Sequence, residues 1–261
     1  MKIFVIGFNK SGTTSIHDFF QENGIESIHW DHSNLSRAIA KNHKQGNRLL
    51  EGYEEWQAFS DLEHPVKGGG YYYSAEKHFQ TIDKQYPGSL FILNYRSFDS
   101  WANSRRNHGN YLLKAMLGDG LSSWEEVREL WFREYSDHIS KASDYFEGKD
   151  NFLLLEMDKE AGTKLSEFLE RHGFNLSVRD LPVAHRTHKN AVDDQQAVNY
   201  ALELAKFFEV VDIVKSMKVL EAVHPAVSQL EGVSEAQAHE VSDRLSYYYS
   251  VLGKSLAKRK Q

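Results

Sequence analysis

The sequence predicts an α/β protein: a central, mostly parallel sheet flanked by helices in three layers, with a helical extension at the C-terminus. Three observations predict it. Short apolar runs of strand length alternate with stretches of helix length as far as Gly173, the pattern of crossover-connected parallel strands. The first of these runs leads at once into a glycine-bearing loop and then a helix. From about residue 192 the strand-like runs stop and only helical periodicity remains. The expected division is therefore 1–191 for the α/β domain and 192–261 for the helices packed on it.

Residues 2–6 (KIFVI) are apolar enough for a buried strand, and residues 12–22 are expected to form a helix stopped by Gly24. "IESIHW" (25–30) alternates as a second strand, and 34–50 reads as a polar helix. "WQAFSD" (56–61) is a short strand ending on Asp61, and "GGGYYY" (68–73) reads as a loop. A helix over 74–85 is stopped by Pro87-Gly88, and 89–95 (SLFILNY) is the clearest strand, with a helix following from about Asp99. A long amphipathic helix over 123–147 opens with a capping box of Ser123 and Glu126. Residues 151–157 form a further strand, followed by a helix with Gly173 just past its end. Beyond 192, helices over 192–222 and 234–256 are separated by His224-Pro225 and Gly232, the second opening on a Ser234/Gln237 box.

Composition narrows the function. A net charge of -6 offers no global field for nucleic acid, so any anion site must be local. The absence of cysteine removes thiol nucleophiles, zinc-thiolate sites and disulfides. No stretch approaches the ~20 apolar residues of a membrane span. The first residues lack the pattern of a signal peptide, so a cytoplasmic location is expected. His29-x-x-His32 and His185-x-x-His188 have ligand-like spacing, but no carboxylate motif supplies a third ligand, and no metal is expected.

The loop "FVIGFNKSGTTSI" carries the chemistry. Its frame is Gly7-x-x-x-x-Gly12, as in a nucleotide-binding P-loop, but Thr13 stands where the usual lysine would be and Lys10 comes earlier. A strand feeding such a loop into a helix aims several N–H groups and the helix dipole at one spot. Thr13, Thr14 and Ser15 add hydroxyls, and Lys10 adds a cation. This composes a phosphate or sulfate cradle, and it equally suits a plain turn with a helix cap. The displaced lysine and Asn94-Tyr95-Arg96 at the end of the best strand speak against metal-assisted triphosphate hydrolysis. A second anion site is suggested by Arg96 at that strand's carboxyl end and Ser104 eight residues on.

At these residues the sequence resembles the P-loop sulfotransferases, which use 3′-phosphoadenosine 5′-phosphosulfate. "NKSGTTS" is similar to their 5′-phosphosulfate loop, with Asn9 in place of a proline, and Arg96 with Ser104 is similar to their 3′-phosphate motif. "GFNKSGTTSIHDFFQENGIESIHW", "AFSD", "YPGSLFILNYRSFDSWANS" and "LLLEMDKEAGTKLSEFL" resemble a bacterial branch of small soluble members, over about residues 2–190. The resemblance implies a P-loop-type three-layer fold and transfer of a sulfuryl group to a hydroxyl, or amine, of a carbohydrate or small molecule. It implies donor contacts from Asn9, Lys10, Ser11, Gly12, Thr13, Thr14, Ser15, Arg96 and Ser104. Arg186 and Lys189 of "HRTHKN" stand where a late basic loop completes the grip on the 3′-phosphate.

The attacking hydroxyl must lose a proton to a carboxylate or imidazole. Asp61, at a strand end, matches the family branch; His29, Glu63 and His64 are the reserves. No Lys-Thr-His segment like that of the animal and plant cytosolic enzymes is found. Two other readings stand beside this one: a kinase or hydrolase with an aberrant loop, and a noncatalytic nucleotide-binding protein. Beyond the resemblance, Ala197, Ala201, Leu204, Phe207, Phe208 and Val211 form an apolar stripe that either packs on the α/β domain or supports a homodimer.

Overall fold

The structure is a computed structural model. It describes residues 1–67, 69–109, 111–182, 213–227 and 233–258, together with 198–199, 201–202, 205–206 and 209. The chain gathers into two compact units. One comprises Met1–Val66, Tyr71–Ser104 and Trp131–Arg186; the other comprises Lys67–Gly70, Arg105–Leu130 and Thr187–Gln261.

The strands are β1 (Ile3–Val5), β2 (Ser27–His29), β3 (Ala58–Ser60), β4 (Glu63–Pro65), β5 (Tyr71–Tyr73), β6 (Leu90–Tyr95) and β7 (Phe152–Glu156). Five of them form one sheet in the order β2-β3-β1-β6-β7, with every pairing parallel. The helices are α1 (Thr13–Glu22), α2 (Asn34–Gln45), α3 (Ser74–Gln85), α4 (Phe98–Arg106), α5 (Tyr111–Asp119), α6 (Trp124–Phe146), α7 (Ala161–Arg171), α8 (Ile213–Val227) and α9 (Glu235–Lys258). This is the α/β class expected from the sequence.

The layers follow from β1, whose residues are buried on both faces. Phe4 and Ile6 point into a core with Phe59, Phe91 and Leu93, closed by Leu35 and Ile39 of α2, Phe79 of α3 and Phe146 of α6. Ile3 and Val5 point the other way, to Ile16, Phe19 and Phe20 of α1 and Leu165 and Phe168 of α7. Phe4 is in register with Phe59 and Phe91 and stacks on both rings, at 5.1 and 5.4 Å between centroids. These cross-strand aromatic pairs tie the three central strands together.

Strand order also positions the site. After β1 the chain builds β2 and β3 on one side, then crosses to β6 and β7 on the other. The connections leaving β1 and β6 therefore diverge, opening a crevice at their carboxyl ends.

Several local expectations changed. The segment read as a loop at 68–73 contains β5, where Tyr71, Tyr72 and Tyr73 pair antiparallel with Pro65, His64 and Glu63. Aromatic side chains favour such a pleated surface once a partner is present, but "EHP" carries no strand pattern. The helix begun at 34 stops at Gln45, because Gly46 takes φ 74 as its left-handed cap. At α6 the Glu126 N–H donates to Ser123 Oγ at 3.2 Å as the expected box requires, but its carboxylate accepts from the backbone and hydroxyl of Ser122 (2.7 and 3.1 Å), one residue before the Ser123 N–H that such a box engages. The Ser234/Gln237 box closes in both directions, at 2.9 and 3.3 Å. Gly173 N–H donates to Glu170 O and Phe174 N–H to Leu169 O, at 3.0 and 3.1 Å, the Schellman arrangement its position suggested. α8 runs through His224-Pro225 to Val227 instead of ending there. Of the C-terminal apolar stripe, Ala201 is buried, and its other members lie outside the described residues.

Candidate active site

The loop after β1 is braced from the sheet. Asn94, at the end of β6 and 1% exposed, accepts the Gly7 N–H through Oδ1 at 3.1 Å. Its Nδ2 donates to Ser11 O and Ser11 Oγ at 2.9 and 2.8 Å, and the Ser11 hydroxyl donates to Phe8 O. Trp101 Nε1 donates to Asn9 O at 2.8 Å, and His138 Nε2 lies 2.6 Å from Ile6 O. Ser11 and Asn9 are buried, so their side chains serve the interior of the loop, and neither amide atom of Asn9 has a hydrogen-bond partner among the described residues.

Gly7 is required by space: a Cβ there would sit 2.1 Å from Asn94 O, a backbone atom. Gly7→Ala is expected to lower the unfolding free energy by about 1–3 kcal/mol, the usual cost of overpacking. A shift of the urea midpoint at unchanged slope measures it; an unchanged midpoint would show that the loop yields freely. Gly12 is required by conformation, at φ 90. Lys10, on the crest, is held at φ 62, a conformation costing a non-glycine residue about 1–3 kcal/mol. α1 then starts with no side-chain cap and no acidic residue in its first turn. Its positive end leaves N–H groups that could receive an anion, with Thr14 exposed, Ser15 partly exposed and Thr13 buried.

Arg96 follows β6 directly. Its main chain is clamped by Tyr135, which accepts the Arg96 N–H at 3.1 Å and donates to Arg96 O at 2.8 Å. Its guanidinium makes no hydrogen bond or ion pair among the described residues. Ser104 lies two turns into α4, partly exposed. Arg186 and Lys189 lie outside the described residues.

Two of the acid–base candidates are brought together. β2 ends on His29 and β3 is followed by Asp61, so neighbouring parallel strands present both at their carboxyl ends. His29 Nε2 is 3.6 Å from Asp61 Oδ2 and 3.5 Å from Thr14 Oγ1, which links the pair to the loop. Ser60 Oγ donates to Ile28 O and lies 3.0 Å from His29 Nδ1. Nδ1 thus meets the Ser60 hydroxyl, and Nε2 faces Thr14 and Asp61. Burial, aided by the stacked His17 ring at 5.2 Å, pushes the His29 pKa down to about 4. At 3.6 Å the carboxylate does not reverse this, and the imidazole is neutral at pH 7. Asp61 is held at φ 57, a second strained residue at the site. His64 is engaged by Ser36 Oγ at 2.9 Å, and Glu63 is buried in β4.

Three imidazoles, His78 and His138 buried and His29 partly buried, give the fold an acid limit. His29, His78 and His138 all have pKa values lowered from 6.5 to about 4, burial being the largest cause in each. Between those values the unfolded chain binds protons that the folded chain refuses, so stability falls as pH drops from about 6.5 to about 4 and levels off below. The expected loss is a few kcal/mol, read from urea unfolding at stepped pH. A flat profile over that window would contradict the neutral imidazoles.

The bracing residues Asn94, Trp101, Tyr135 and His138 were not anticipated as part of the site. One signal was available: an asparagine inside an apolar strand must find partners when buried.

The model of the sulfotransferase domain matches residues 2–182, so the chain belongs to the sulfotransferase domain family. Its class of activity is accordingly transfer of a sulfuryl group to an acceptor. No curated protein matches the chain. Among the described residues, no helix is long and apolar enough to cross a membrane, and no three His, Asp or Glu side chains are grouped to hold a metal ion.

Proposed function

We propose that the chain moves the sulfuryl group of 3′-phosphoadenosine 5′-phosphosulfate to a hydroxyl or amine of a carbohydrate or small-molecule acceptor. One observation carries this reading: a carboxylate–imidazole pair, Asp61 and His29, adjoins an uncapped, acid-free helix start through Thr14, 3.5 Å from His29 Nε2. A proton acceptor beside an anion cradle is what transfer to a hydroxyl requires.

The residues present fit a polyanionic donor. Lys10, the N–H groups of 12–15 and the hydroxyls of Thr14 and Ser15 would hold its phosphosulfate end, with Thr13, buried like Asn9 and Ser11, contributing through its backbone. The contributions of Asn9 and Ser11 would come from their backbone, since their side chains are buried. Arg96 and Ser104, joined by Arg186 and Lys189, would hold the 3′-phosphate. The bound donor supplies the activated sulfuryl group. Lys10 would meet the charge that grows on the leaving oxygen, and Asp61 would take the acceptor's proton, with neutral His29 orienting the hydroxyl between them.

The direct test is thermal unfolding with ligands. 3′-Phosphoadenosine 5′-phosphate at a hundredfold excess over its Kd is expected to add about 2.7 kcal/mol. Stabilisation by ATP with Mg²⁺ and none by the bisphosphate would instead favour a kinase. Arg96→Ala is expected to weaken the bisphosphate by about ten- to a hundredfold, the worth of charge-assisted hydrogen bonds, with kcat little changed because that phosphate does not react. Calorimetric titration measures it, and normal affinity in the variant would remove Arg96 from the 3′-phosphate site.

A further inference from the structure

A second feature adjoins the acid–base pair. Trp30, Asp31, His32 and Ser33, four consecutive residues after β2, have φ values of 57, 45, 51 and 67. None is glycine, and each such conformation costs about 1–3 kcal/mol. The turn is held from outside: Tyr53 donates to Asp31 Oδ2 at 3.1 Å, and Arg37 Nη1 donates to His32 O at 3.2 Å. It keeps Trp30 45% exposed at the rim of a groove of ≈ 480 Å³ that runs along the edge strand β2. The groove is lined by His29 and Trp30, with Asp31, His32, Trp56 and Gln21 around them. A larger hollow of ≈ 590 Å³ lies along α9, but none of its lining residues belongs to the loop or the strand ends.

The lining decides what the groove suits. It contains no lysine or arginine, so it offers no counter-charge to an anionic acceptor. Imidazole, carboxylate and amide groups interrupt its apolar surface too often for a lipid chain or sterol. What remains is a partly exposed indole, with the His32 ring tilted against it at 4.8 Å between centroids, bordered by short-range hydrogen-bonding groups in a volume typical of small-ligand sites. A pyranose ring matches both parts: its C–H face lies on an aromatic plane and its hydroxyl rim needs donors and acceptors in the ring plane. We propose that this groove is the acceptor site, that it takes a neutral saccharide stacked on Trp30, and that one hydroxyl of that sugar is delivered to His29 and Asp61. The inference rests on the sulfuryl-transfer reading for its reaction, and on the groove alone for its ligand.

The test measures binding, not turnover. The full chain is applied to an array of neutral glycans, with heparin and para-nitrophenol as anionic and apolar contrasts, with and without 3′-phosphoadenosine 5′-phosphate. Binding of neutral glycans is expected. Trp30→Ala should weaken it about tenfold, and Trp30→Phe should largely retain it, while both variants bind the bisphosphate as the wild type does. Because Trp30 is exposed, the substitutions leave the core untouched, and the bisphosphate arm confirms a folded site. Binding confined to heparin or para-nitrophenol, absence of glycan binding, or glycan binding indifferent to Trp30→Ala overturns the proposal. Glycan binding that depends on Trp30 in a chain that ignores the bisphosphate upholds the groove and refutes the donor reading. The opposite result refutes the groove and spares the donor reading.

Discussion

Asp61→Asn is expected to lower kcat by about 10²–10⁴, the range that a positioned general base contributes, while donor binding stays intact. The amide keeps the shape and the hydrogen-bonding reach of the carboxylate but cannot accept a proton. His29, whose pKa burial lowers to about 4, is neutral at pH 7 and lies 3.6 Å from Asp61 Oδ2, so its role must be separated from that of the carboxylate by experiment. Its expected part is to orient, so His29→Gln should cost less than Asp61→Asn. Single-turnover rates for both variants, beside their thermal shift with 3′-phosphoadenosine 5′-phosphate, separate the two roles. A larger loss in His29→Gln would transfer the base assignment to the imidazole, and equal rates in wild type and Asp61→Asn would remove Asp61 from the chemistry.

Lys10→Ala is the second large effect, an expected fall of about 10²–10³ in kcat, comparable to losing one donor from an oxyanion site. The expectation rests on where the lysine sits. The loop holds it at φ 62, on the crest between a braced Phe8–Ser11 turn and the start of α1. In the proposed donor site a charge on Lys10 would act most strongly on the bond that breaks, where negative charge grows during transfer. Donor affinity should therefore change much less than kcat, and the ratio of the two effects is the measurement. A variant that loses affinity and keeps its rate at saturation would reassign Lys10 to ground-state binding.

Much of this was legible in the chain itself. The apolar run 2–6, the spacing of Gly7 and Gly12 and the hydroxyls at 13–15 state a strand, a turn and a helix start within a few residues of each other. Local chemistry is enough to read them, because short apolar runs and glycine-bearing turns act over one or two turns of chain. Arg96 at the end of the most apolar strand was legible for the same reason. The hairpin of β4 and β5 was not, since "EHP" acquires strand geometry only from its pairing with Tyr71–Tyr73. The Ser123–Glu126 half of the α6 box was legible, but the choice of Ser122 as the partner of the Glu126 carboxylate lay beneath the resolution of a motif.

The sequence by itself determined the class of fold and the strand, glycine-bearing turn and helix start that carry the displaced lysine. Only the tertiary structure decided that Asn94 braces the loop across 87 residues of sequence and that His29 meets Asp61 at 3.6 Å. It also decided that the turn after β2 holds Trp30 at the rim of a groove. The physical reason lies in the strand order β2-β3-β1-β6-β7. That order is set by burying both faces of β1 between two helical layers, and which strand ends become neighbours depends on the packing of the whole core, so no local pattern encodes it.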